Sequence, residues 1–84
     1  MRRLHFSDHA HHQMAEREID QAIVERVVEA PDAIIPAAKG RRIAQKLIRV
    51  EGRTFLYRVI LLEEETARTV ITVYRTSKLD KYVT

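Results

Sequence analysis

The chain contains no cysteine, which excludes a disulfide framework and any thiolate zinc site and fits a reducing compartment. It has no apolar run of membrane-spanning length, and its opening residues, MRRLHFSDHAHH, lack the apolar centre of a signal peptide. The expectation is therefore a cytoplasmic protein with no membrane partner. Neither repeats, nor low-complexity segments, nor a linker interrupt the chain. What is there, 84 residues at 45% hydrophobic and 32% charged, is the balance of one small domain, residues 1–84, with a single core.

The net charge of +3 hides an uneven arrangement. Residues 1–35 hold seven acidic and four basic side chains, net −3, whereas residues 36–84 hold eleven basic and five acidic, net +6. Arg41, Arg42, Lys46, Arg49, Arg53 and Arg58 fall within eighteen residues opposed by Glu51 alone. Such asymmetry points to a polyanion meeting the C-terminal part, the plainer alternative being a solvated sheet face.

Ser7 and Asp8 are good N-cap residues and predict a helix from Asp8 to about Glu18. Its apolar face is thin (Ala10, Met14, Ala15), while His9, Gln13 and Arg17 share another stripe at i, i+4, i+8 spacing. Asp20 can cap a second helix, Gln21 to Glu29, whose Ile23, Val24, Val27 and Val28 repeat at helical spacing as a core face. Pro31 ends it. Beyond that the period changes. DAIIP reads as an edge strand or an extended connector, AAKG as a loop, and residues 42–50, 54–62 and 67–74 as strands rich in β-branched and aromatic residues. Short connections make antiparallel neighbours, so the expected fold is α+β: two N-terminal helices on a three- to four-stranded antiparallel sheet, with a short C-terminal helix in RTSKLDKY.

Glu51 and Gly52 suit a two-residue hairpin loop. With Val50 opposite Arg53, Lys46 lies opposite Tyr57 on one face and Gln45 opposite Arg58 on the other. Burying an unpaired cation in mid-strand is costly. One of Lys46 and Arg58 is thus expected on an open face, the other at a carboxylate or the sheet margin; both snorkelling to water is the alternative.

FSDHA (Phe6 to Ala10), Met14 and Arg17 before Ile19, the proline ending the second helix, GRRIAQK (Gly40 to Lys46) and the closing TVYRTSKLDKY together resemble a bacterial domain-of-unknown-function family, the one numbered 4258. The resemblance implies a small helix-helix-sheet protein distantly similar to RelE-like and barnase-like ribonuclease toxins. Its motif elements fall on His9, Arg17, Lys46, Thr72, Tyr74, Thr76, Ser77 and Lys78. Two positions depart from it: Gln13 stands where arginine is expected, and Glu18 where glycine is usual.

Metal-free RNA cleavage needs a base, an acid and cations around the phosphate. His9, near a helix N-terminus that disfavours its protonated form, suits the base role, with Lys46 and Tyr74 completing a catalytic set. Arg17, Arg58, Arg75, Thr76, Ser77, Lys78 and Tyr82 are the candidate RNA-binding residues, the tyrosines as stacking planes. Each has a duller alternative, such as Arg17 pairing with Asp20 or Glu16. The HAHH cluster lacks a His-Glu-x-x-His pattern, so no metal or cofactor is expected. Three functions follow: a toxin-like endoribonuclease masked by an antitoxin partner, a non-catalytic module binding nucleic acid or an acidic partner, and a homodimer associating through apolar sheet faces.

Overall fold

The computed structural model describes residues 3–79. The elements run β1 (Arg3–Phe6), α1 (Asp8–Glu16), α2 (Gln21–Glu29), β2 (Ala33–Pro36), a 3-10 turn (Ala38–Gly40), β3 (Arg41–Val50), β4 (Arg53–Glu63) and β5 (Ala67–Thr76). The strands form one sheet in the order β1-β5-β4-β3-β2. The α+β class and both helices stand as expected. The three- to four-stranded antiparallel sheet is corrected to five strands with one parallel pair, because β1 pairs parallel with β5 from Arg3↔Ala67 to Phe6↔Val70. DAIIP is an edge strand, antiparallel to β3. Arg75 and Thr76 complete β5 instead of starting a helix, and the rest of the expected C-terminal helix, from residue 80, lies outside the described residues.

Helix α1 starts where Ser7 Oγ accepts the Ala10 N–H at 3.0 Å. It stops at Glu16, two residues earlier than expected, in a Schellman motif: Glu18 N–H donates to the Ala15 carbonyl at 3.4 Å and Ile19 N–H to the Met14 carbonyl at 2.9 Å. That closure requires a left-handed residue, and Glu18 sits there at φ 53°. The accompanying apolar contact positions, Met14 and Ile19, are both buried. Helix α1 packs on β5, and α2 spans β3 and β4.

The β3–β4 register agrees with the reading from the hairpin: Val50↔Arg53, Lys46↔Tyr57 and Gln45↔Arg58. Glu51 and Gly52, at φ 50° and 81°, make the turn. Alternation then sorts the faces. Ala44, Ile48, Tyr57, Val59, Leu61, Val70 and Val73 join Ala10, Met14, Ile19, Val24, Val27 and Val28 in the core between helices and sheet. Val70 and Val73 are three apart on one strand, and both face the helices because β4–β5 pairing shifts between Ile60 and Leu61, leaving Ile71 bulged. The Ser7 hydroxyl donates to the Ile71 carbonyl at 3.2 Å, satisfying the backbone at that irregularity.

Candidate nucleic-acid interface

The expected catalytic set does not converge. His9 is exposed in the first turn of α1 and has no hydrogen-bond or ionic partner among the described residues. Lys46 lies on the helix-side face, where its ammonium donates to the Ala30 carbonyl at 2.8 Å and to Asp32 Oδ1 at 3.3 Å. Tyr74 lies on the opposite face, since its neighbour Arg75 pairs with Tyr57 while Tyr74 pairs with Arg58. The Lys46/Arg58 alternative is thereby resolved: Lys46 meets a carboxylate, and Arg58 takes the face without helices.

On that second face Arg58 Nε donates to Gln45 Oε1 at 3.2 Å and Nη1 to the Tyr74 hydroxyl at 2.6 Å, with the guanidinium 5.7 Å from the Tyr74 ring centroid. The phenol accepts from Arg58, so its own proton can point to a ligand oxygen. Thr72 and Thr76 share this face by alternation. Thr76 Oγ1 accepts the Lys78 N–H at 3.1 Å, shaping the turn at Ser77; both Ser77 and Lys78 are exposed. Tyr82 lies outside the described residues.

Asp32 shows what the Lys46 pairing is for. Its Oδ2 accepts the Leu47 N–H at 2.9 Å, just past the end of the β2–β3 ladder, and Lys46 steadies it. The Leu47 N–H, together with Lys46, holds the Asp32 carboxyl below the usual carboxylate range. Arg17 likewise serves the fold, since its Nη1 donates to the Val73 carbonyl at 2.7 Å rather than pairing with Asp20 or Glu16.

Arg75 is built differently. Its Nη1 donates to the hydroxyl of Tyr57, a residue 0% exposed, at 3.0 Å. Its guanidinium lies 4.5 Å from the Phe55 ring centroid, and Arg53 lies 5.3 Å from the same ring. Phe55 meets Tyr57 edge-on at 6.3 Å, so ring and phenol together fix the arginine. Neither Arg53 nor Arg75 has a carboxylate within ion-pair distance among the described residues, in contrast to Arg42, which meets Glu63 at 3.4 Å. Two guanidiniums beside one aromatic ring, with no carboxylate in ion-pair range among the described residues, thus form a cationic patch at the hairpin end of the helix-side face. From sequence, Arg53 stands only among the clustered basic residues and Phe55 is not named, although the hairpin register places Arg53, Phe55 and Tyr57 on one face. The histidines contribute elsewhere: His12 Nε2 lies 2.7 Å from Glu16, His11 packs on Phe6, and no three His, Asp or Glu side chains gather as a metal site among the described residues.

Fold and surface thus define a small α+β domain with helices on one sheet face and an arginine–aromatic cluster at the hairpin end. The chain belongs to the family described as Domain of unknown function (DUF4258), whose pattern it matches over residues 6–75. No curated protein and no solved structure matches it.

Proposed function

We propose that the chain is an RNA-directed module that retains single-stranded RNA on the Arg53–Phe55–Arg75 surface. The observation that carries this reading is the pair of guanidiniums at one ring with no carboxylate within ion-pair distance among the described residues. Beyond the Nη1 donor that Arg75 gives to Tyr57, guanidinium N–H groups beside an aromatic ring can donate to a phosphate, to which arginine binds bidentately. Unstacked bases add themselves to such planes without regard to sequence. The surplus of basic residues after residue 35 supplies long-range attraction.

Retention is favoured over cleavage. A base and an acid must reach one phosphate within hydrogen-bond distance, and His9, Lys46 and Tyr74 stand on three different parts of the surface. The toxin-like reading survives here as kinship of target, RNA, rather than as a nuclease mechanism.

The test is incubation with mixed single-stranded RNA in EDTA, with retention and cleavage read on one gel. Retention of intact RNA by the wild type and by Lys46→Ala, lost in Arg75→Ala, is the expected result. Cleavage in EDTA would overturn the preference for retention, and retention that depends on Lys46 but not Arg75 would move the surface.

A further inference from the structure

Strand β5 loses its outer neighbour part-way along, because β1 pairs with it from Arg3↔Ala67 to Phe6↔Val70 and no further. Beyond that point side chains from α1 and its C-cap residue take over. Gln13 Oε1 accepts the Val73 N–H at 3.0 Å and Arg17 Nη1 donates to the Val73 carbonyl at 2.7 Å, so Val73 turns its backbone groups outward, away from β4. Outward and inward groups alternate along a strand, and past the bulge the pairing with β4 runs without interruption through Val59↔Val73, Arg58↔Tyr74 and Tyr57↔Arg75. Arg75 therefore also turns its N–H outward, one repeat of about 7 Å along the edge from Val73. That N–H has no partner among the described residues.

Two donors thus meet at this edge. Arg17 is exposed, only its Nη1 is engaged, and no carboxylate lies within ion-pair distance of it among the described residues. Its guanidinium, fixed on the Val73 carbonyl, stands within about one strand repeat of the Arg75 N–H. Open carbonyls at the end of α1 would repel an anion here, but those of Gln13, Met14 and Ala15 accept the N–H groups of Arg17, Ile19 and Glu18. We infer that the β5 edge between Arg17 and Arg75 seats a phosphate group, one oxygen accepting the Arg75 N–H and a second accepting from the Arg17 guanidinium. Backbone N–H groups and arginines are the donors that phosphates meet in nucleic-acid complexes, and such contacts set register without reading bases. The source of the phosphate rests on the RNA reading above. The Arg75 side chain runs from the same residue to Tyr57 and Phe55, so one residue joins a backbone phosphate on the edge to the aromatic cluster.

The experiment is an amide-resolved nuclear magnetic resonance titration of the full chain, with inorganic phosphate and separately with single-stranded RNA, on wild type, Arg17→Gln and Phe55→Leu. The expected result is a saturable shift of the Arg75 amide with both ligands, larger than the shifts of Arg41 and Arg49, which are exposed elsewhere on the sheet. Arg17→Gln weakens the phosphate response about tenfold or more, the scale of one charge-assisted hydrogen bond. Phe55→Leu leaves the phosphate response intact while weakening RNA, which separates the seat from the aromatic cluster. If phosphate moves the Arg75 amide and RNA moves nothing, the seat stands with free phosphate as its ligand and the RNA reading falls instead. An Arg75 amide that neither ligand moves, a response shared evenly with Arg41 and Arg49, or one indifferent to Arg17→Gln would overturn the inference. Should Arg17→Gln disturb the rest of the spectrum, the wild-type comparison of Arg75 with Arg41 and Arg49 decides the matter alone.

Discussion

Gln13 and Arg17, one helical turn apart on α1, hold the two backbone polar groups of a single residue: Gln13 Oε1 accepts the Val73 N–H at 3.0 Å and Arg17 Nη1 donates to the Val73 carbonyl at 2.7 Å. Strand β1 stops pairing at Phe6↔Val70, so the helix supplies by side chain what a longer strand would have supplied by backbone. Asp32 does the corresponding work at Leu47, past the end of the β2–β3 ladder. Gln13 and Arg17 are thereby accounted for by the fold.

Replacing either Gln13 or Arg17 by alanine lowers stability by about 1–2 kcal/mol, the scale of a part-buried hydrogen bond left unmade. The double variant loses less than the sum, since both act on one residue. Urea denaturation of the four proteins measures this, and full additivity would contradict the shared grip.

Glu18→Gly raises stability by about 0.5–1 kcal/mol. A left-handed backbone is strained for glutamate and free for glycine, and this gain exceeds the entropy that glycine adds to the unfolded chain. The resemblance-based expectation of glycine at this position has that physical cause. An unchanged or lower urea midpoint would show that the Schellman closure carries no strain.

Asp32 makes part of the stability acid-labile. Its carboxyl is held below the ordinary value of 3.8, so its contribution is present above that value and fades as pH falls through the depressed one. Asp32→Asn keeps an acceptor for the Leu47 N–H but loses the charge. The difference in stability between wild type and Asp32→Asn is expected to be open at pH 7 and to close toward pH 2, read from urea midpoints; a gap constant with pH would refute it.

Phe55→Leu weakens RNA retention by about 1–3 kcal/mol, the worth of one stacking plane, without changing how binding responds to salt. The ring carries no charge but orders Arg53 and Arg75. Equal affinity of the two proteins would remove Phe55 from the surface.

Local signals in the sequence carried much of the fold. The punctuation at Pro31, Glu51 and Gly52 and the valine repeat of α2 are short-range, and they led to the second helix, the long strands and the hairpin register. Strand β1 was not legible, because four residues containing Arg3 and His5 pair in parallel with a strand more than sixty positions away. The bulge at Ile71 also left no mark, and it decides which residues of β5 face the helices. Alternation along β5 likewise separates Tyr74, expected in the catalytic set, from its neighbour Arg75, expected to bind RNA, on opposite faces. Arg53 and Phe55 lay within reach of the hairpin register, but Arg75 joins them only through β4–β5 pairing.

The most direct measurement is the salt dependence of single-stranded RNA binding by wild type, Arg53→Ala and Arg75→Ala, plotted as log affinity against log salt. If these arginines meet phosphates, each substitution weakens binding and reduces the slope by about 0.7, the counterion release of one phosphate contact on a single strand. Slopes and affinities equal to those of the wild type would place the RNA elsewhere and contradict the proposed interface.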